Sequence, residues 1–268
     1  MTARVSSVDS GGVVPLLRAA ARAQLQLTRQ NIEDLRPVLT MPLVCLVGLA
    51  ILSYSGRAEL ASYALVAAVL MTIGQMGNFV ASEIVFQERN EQTLELVVAS
   101  PAPYFYVLLG RVVVLTLLGL VGAVESWLLA RLVFHVSLVV HHWSLFGATL
   151  LLTCLAAAGT ALLTSALFAL SSQVRTFQNA INGPLYLLGG VLVPVSYLPA
   201  WLSPLSPFVF FSWAADLLRA SFVAGPPAHP LLSLAAIAAL GATTGALGWL
   251  CLGRMLDRLR RQGTLGLT

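Results

Sequence analysis

The 268-residue sequence contains no lysine; all fifteen of its basic residues are arginines. A Walker A loop needs a lysine on the nucleotide phosphates, so this polypeptide is not by itself an ordinary P-loop ATPase. Charge of either sign is also scarce, at 10% of residues, against roughly 25% in soluble domains. Hydrophobic residues make up 58%. A soluble fold would have to spread that excess over its surface and would aggregate, so lipid is the expected solvent. Cysteine is rare: Cys45, Cys154 and Cys251 lie in separate apolar runs without paired spacing, which excludes a disulfide or metal framework and leaves them as packing residues. Neither Gly-x-Ser-x-Gly nor His-Glu-x-x-His occurs, so no catalytic set and no metal site is expected. The adjacent His141 and His142 would point about 100° apart on a helix and have no carboxylate nearby in the sequence, which suits a wet outer loop. The first 36 residues hold several charges and no uninterrupted apolar run, unlike a cleavable signal peptide.

Six apolar stretches remain. Residues 37–56 and 60–82 are free of charge, and each has the length of about 20 residues that a hydrocarbon core requires. Gly74 and Gly77 in the second stretch would let a neighbouring helix come close. A third span covers about 104–130 and contains Arg111, which would snorkel at the inner end, and Glu125. Glu125 falls about 21 Å further along a helix; it either lines a polar cavity or is solvated near the outer headgroups, and as a pathway candidate it stands alone. The fourth span is about 144–171, the fifth begins after Arg175 and reaches about 193, and the sixth is 231–253. Between the last two, Pro194, Pro199, Pro204 and Pro207 prevent one long helix, so short interfacial or re-entrant helices are expected over about 194–222.

With six spans and the amino end inside, twelve of the fifteen arginines are cytoplasmic; Arg57, Arg131 and Arg219 are outside. This positive-inside bias fixes both termini in the cytoplasm. The arginines sit at the ends of apolar runs, so the net charge of +4 reflects topology and not nucleic-acid binding. The expected organisation is a cytoplasmic amino-terminal part (1–36), a six-span domain (37–253) and a basic tail (254–268). In the first part Leu17, Ala21, Leu25 and Thr28 recur at helical spacing beside Arg18, Arg22 and Arg29, the pattern of an interfacial helix with its Leu face in the acyl boundary. A solvated helical arm would read the same way.

The most charged window follows the second span. On a helix over about 88–100, Glu88, Glu91 and Glu95 would align at spacings of three and four, with Leu94, Val97 and Val98 as an apolar face, until Pro101 ends it. That pattern fits a docking helix for a soluble partner and equally a solvated connector.

The run Glu88 to Pro101, with Thr93-Leu94-Glu95 and then Ser100-Pro101, resembles the coupling segment of type-2 ABC exporter permeases, the membrane subunits of bacterial drug, polysaccharide and lipid exporters. The outer stretch Pro194 to Leu202, followed by Leu205-Ser206-Pro207 and Asp216-Leu217-Leu218-Arg219, resembles the region after that family's fifth span. One departure is Gln92, where many relatives carry glycine. The resemblance implies an all-α permease in the cytoplasmic membrane that pairs with itself or with a related chain. Two copies of a separate ABC ATPase would bind ATP and magnesium, so the chain itself needs no cofactor. It also implies that Glu88, Glu91, Thr93, Leu94, Glu95 and Val98 couple to the ATPase, with Arg175 as a second contact. Pro194, Pro199, Trp201, Pro207, Asp216 and Arg219 would belong to an outer gate. Few charges lie in the spans, so a drug, secondary metabolite or lipid-like cargo is favoured. The aromatic content of 8% gives no special support to a polysaccharide. A membrane-embedded enzyme and a non-transporting assembly subunit are the readings from other classes.

Overall fold

The computed structural model describes residues 13–57, 60–93, 103–136, 139–168 and 174–262, and among them the structure is helical without a strand. The helices are α1 (Val13–Gln30), α2 (Arg36–Tyr54), α3 (Ala61–Gln75), α4 (Ile84–Asn90), α5 (Tyr104–Leu118), α6 (Val121–Leu132), α7 (Trp143–Phe168), α8 (Val174–Leu188), α9 (Phe210–Ser221) and α10 (Pro230–Gln262).

Among the described residues five helical runs are long and apolar enough to cross a membrane: Glu33–Tyr54, Ala61–Asn90, Tyr104–Leu132, Trp143–Phe168 and Pro230–Asp257. They fall where the first, second, third, fourth and sixth spans were expected. The fifth is not among them. The described part of α8 has 15 residues, about 22 Å of rise, against a hydrocarbon core of roughly 30 Å, and residues 169–173 before it lie outside the described residues. At its other end Gly189 and Gly190 stop the helix, Gly190 at φ +62°, and the proline-rich stretch does not restart it.

The run Ala61–Asn90 is not a uniform α-helix. Between α3 and α4 lie a π-helical turn, Met76–Val80, and a 3₁₀ turn, Ala81–Glu83. The run forms the spine of the molecule: Leu65, Leu70 and Ile73 are buried with Phe211 and Leu218 of α9, while Met76, Ile84 and Val85 join Leu108, Leu115 and Leu162. The expectation for its glycines holds. A side chain at Gly74 would collide with the rings of Tyr186 and Phe211, and one at Gly77 would press on the Ala157 carbonyl.

In lipid, apolar side chains gain little by leaving their surroundings, so helices associate where small residues let backbones touch. The α7–α10 pair shows this. A Cβ on Gly159 would run into the Gly241 carbonyl, one on Gly241 would lie 2.6 Å from the Ala156 Cα, and one on Gly248 would lie 2.7 Å from the Leu163 nitrogen. The amino-terminal helix packs by the same rule. Gly110 of α5 admits the Leu17 carbonyl and Ala20 of α1, and the buried stripe of α1 is Ala20, Gln24 and Thr28. The face expected to enter the acyl layer is therefore divided: Thr28 is buried, Leu17 and Ala21 are partly covered, and Leu25 stays exposed.

Candidate functional site

The window read as one coupling helix is broken near its start. Helix α4 ends at Asn90. The Thr93 amide then donates to the Glu88 carbonyl at 2.9 Å and the Gln92 amide to the Arg89 carbonyl at 3.1 Å, the paired bonds of a Schellman cap. Its left-handed position falls on Gln92, with φ +58°. Glycine adopts that conformation without strain, so the departure noted at Gln92 lies at the residue whose backbone most favours glycine. The α-helix does not run from Glu88 through Glu91: Glu88 lies in the last turn of the spine helix, which ends at Asn90, and Glu91 begins a turn. Leu94, Glu95 and Val98 lie outside the described residues.

Glu88 is buried and does not contribute to an exposed acidic face. Its carboxylate pairs with the Arg111 guanidinium and accepts a 2.6 Å hydrogen bond from the Tyr104 hydroxyl. Arg111 also donates through Nε to Gln24 Oε1 at 2.8 Å, and Gln24 Nε2 donates to Thr28 Oγ1 at 3.2 Å. The snorkelling expected of Arg111 is thus replaced by an internal ion pair, because a part-buried guanidinium gains most from a carboxylate and Glu88 is in reach. Thr93 Oγ1 adds a bond to the Glu88 carbonyl at 3.2 Å. This network joins α1, α4 and α5. It also clamps both stems of the segment 94–102, since Thr93 precedes that segment and Tyr104 follows it. Glu91 and Gln92 are exposed beside the clamp.

A second polar cluster fastens α8 to the π-helical turn. Gln178 Nε2 donates to Ser82 Oγ at 2.9 Å and to the Asn78 carbonyl at 3.2 Å, and Asn78 Nδ2 donates to Asn182 Oδ1 at 3.3 Å. These side chains are buried, yet Gln178 Oε1 and Asn182 Nδ2 have no partner within the described residues. Such turns often occur at functional positions in a helix. Beside this cluster a cavity of about 350 Å³ opens between the start of α2, the spine and α8. Its wall includes Glu33, Asp34, Glu83, Arg36, Gln87 and Asn179, so carboxylates outnumber cations. Arg175 lies in the first turn of α8, and its side chain is outside the described residues.

At the other end of α8 the proline-rich stretch forms two short 3₁₀ helices, Val195–Tyr197 and Ser203–Phe208, followed by α9. Pro199, Trp201 and Pro207 are exposed, and Pro194 is half-buried. Arg219 is buried and donates to the Gly190 carbonyl at 2.6 Å and the Val191 carbonyl at 3.2 Å; its guanidinium lies 4.8 Å from the Tyr63 ring centroid. Asp216 stays exposed, 3.6 Å from Arg219 Nη1. Ser206 donates to the Leu188 carbonyl. This stretch therefore supplies Ser206 to the last carbonyl of α8, while Arg219 of α9 takes up the two carbonyls just beyond the helix. Sequence reasoning placed Arg219 at this end and quoted Ser206 within Leu205-Ser206-Pro207 without giving it a role, but it missed Tyr63 and Gly190, which show no pattern in the chain. Glu125 lies in neither cluster. Among the described residues it borders an apolar groove with Pro42, Leu43, Leu128 and Leu132.

Residues 16–223 match the family model of the ABC-2 type transporter, which covers all of these clusters. The chain belongs to the ABC-2 type transporter family. It is accordingly a multi-pass membrane protein and a permease subunit, and the matched domain is not itself catalytic. Comparison with curated individual proteins gives no match. Within this ABC-2 permease the α1–α4–α5 network and the amide cluster at α8 both attach to the spine run Ala61–Asn90.

Proposed function

We propose that this ABC-2 permease is an exporter that works as two copies, or with one related chain, on two copies of a separate ABC ATPase. Both termini and the segment 94–102 face the cytoplasm, and α8 with the proline-rich stretch completes the sixth crossing. The observation that carries this reading is the clamp on Glu88. It holds both stems of 94–102 and fixes them to α1 and α5, so a displacement of that segment reaches three helices together. The coupling surface consists of Glu91, Thr93, Leu94, Glu95 and Val98, with Arg175 as a second contact. Glu88 acts behind it as a positioning residue.

Movement of α4 would pass through the π-helical turn to α8 and then to the outer gate, where Arg219 holds the proline-rich stretch. The cavity beside Asn179 combines carboxylates with apolar wall, which supports an amphipathic cargo: a drug, a secondary metabolite or a lipid-like molecule whose polar head it would receive.

The test is ATP-driven transport of an amphipathic dye in vesicles containing the permease and its ATPase. Glu91→Arg combined with Glu95→Arg should lower transport at least tenfold while leaving the permease folded and inserted. Transport at the native rate would overturn the coupling assignment.

A further inference from the structure

A groove at the α9 end of the bundle takes no part in the clusters above. It runs between α3, α6, α7 and the end of α9, has a volume of about 350 Å³ and is walled by apolar and aromatic side chains, among them Leu65, Val124, Trp127, Trp143 and Phe222. From Trp127 to Leu120 it reaches about 10 Å inward along the helix.

The groove is held open by hydrogen bonds. His141 Nδ1 lies 3.0 Å from the Phe222 carbonyl, His142 Nε2 lies 3.1 Å from the Gly225 carbonyl, and the His141 amide donates to the Ser221 carbonyl at 2.9 Å. A carbonyl only accepts, so both ring nitrogens carry hydrogen here. The bonds tie the start of α7 to the end of α9 and so set the distance between two walls. Edge-to-face contacts from Phe146 to Trp143 and to Phe222 stiffen the same corner.

One charge marks the groove. Arg131, a turn beyond Trp127, places its guanidinium carbon 5.7 Å from the Trp127 ring centroid. It is exposed, no carboxylate among the described residues pairs with it, and no acidic residue lines the groove. We infer that the groove binds one acyl chain of an anionic phospholipid whose phosphate pairs with Arg131. Hydrocarbon satisfies an apolar wall within a membrane domain, and an unpaired guanidinium favours a headgroup with net negative charge over one whose phosphate is offset by its own choline cation. A twofold contact with a second copy through this groove would oppose two Arg131 side chains and is disfavoured.

Native mass spectrometry of the detergent-solubilised chain, offered equal amounts of phosphatidylglycerol and phosphatidylcholine, tests the proposal. One bound phosphatidylglycerol should be favoured by about fivefold, the preference expected from one basic residue near a headgroup. Arg131→Gln should bring the ratio close to one, Arg57→Gln should leave it unchanged, and Ala123→Phe, which fills the groove, should remove the bound lipid. Equal retention of both lipids by the native chain, an unchanged preference in Arg131→Gln, or a dimer that sheds lipid and is broken by Ala123→Phe would each overturn it. None of these outcomes bears on the coupling assignment, which transport tests separately.

Discussion

Gln92 and Glu88 show what a single residue carries in this permease. Gln92 holds φ +58° at the cap of α4, a conformation that costs a residue with a Cβ roughly 1 kcal/mol. Gln92→Gly should therefore raise the thermal midpoint in detergent slightly and leave ATP-driven transport intact; a lower midpoint would show that the Gln92 side chain makes a stabilising contact. Glu88 is the opposite case. Removing its charge takes from the part-buried Arg111 its direct ion-pair partner and leaves Asp34 as a carboxylate that acts on it only through space, at a cost of about 2 kcal/mol for the lost charge-assisted bonds. Glu88→Gln should lower the midpoint by several degrees and speed tryptic cleavage after Arg18, Arg22 and Arg29 as α1 comes loose. Unchanged cleavage would mean that the Gly110 contact alone seats α1. By contrast, the Arg36–Glu33 pair at 2.8 Å is exposed on both sides and contributes little.

Helix α8 depends on its two ends. From its first turns to its middle the amides of Gln178 and Asn182 bind the π-helical turn, in its last turn the Tyr186 hydroxyl donates to the Met71 carbonyl at 3.3 Å, Ser206 takes up the Leu188 carbonyl, and Arg219 the carbonyls just beyond. These pins hold a helix that carries Gln178, Asn179 and Asn182 within its length. Arg219→Met preserves most of the side-chain volume but removes the donors, at a cost of about 2 kcal/mol for carbonyls left unpaired. Proteolysis between residues 191 and 209 should become faster in the variant than in the native protein. Equal rates would assign the seating of this stretch to Ser206 and the apolar contacts of α9.

For the molecule as a whole, the proposed topology puts the coupling surface and the proline-rich stretch on opposite sides of the membrane. Single cysteines at Glu91 and Trp201, introduced after the three native cysteines are replaced, should label from opposite sides in intact cells: Trp201→Cys with an impermeant reagent added outside, Glu91→Cys only after permeabilisation. Labelling of both from one side would break the six-crossing arrangement. In the proposed mechanism the two clusters on the spine would have distinct duties, one receiving displacement from the ATPase and the other passing it to α8.

The sequence by itself determined the solvent, the helical class and the position of five spans, because each rests on local composition: a stretch without charge cannot lie elsewhere at lower cost. The permease family was also legible, carried by the order of Glu88 to Pro101 and Pro194 to Arg219. Only the tertiary structure decided which polar residues face each other. Glu88 had the spacing of a surface acid, yet Arg111 and Tyr104, sixteen and more residues away, turn it inward. Arg219 was visible as an outer arginine, but its carbonyl partners at Gly190 and Val191 depend on where α8 stops. The helix break at Gln92 was hidden for a related reason: helical periodicity marks which residues would share a face if a helix continued, whereas its termination depends on the cap hydrogen bonds closing around Glu88.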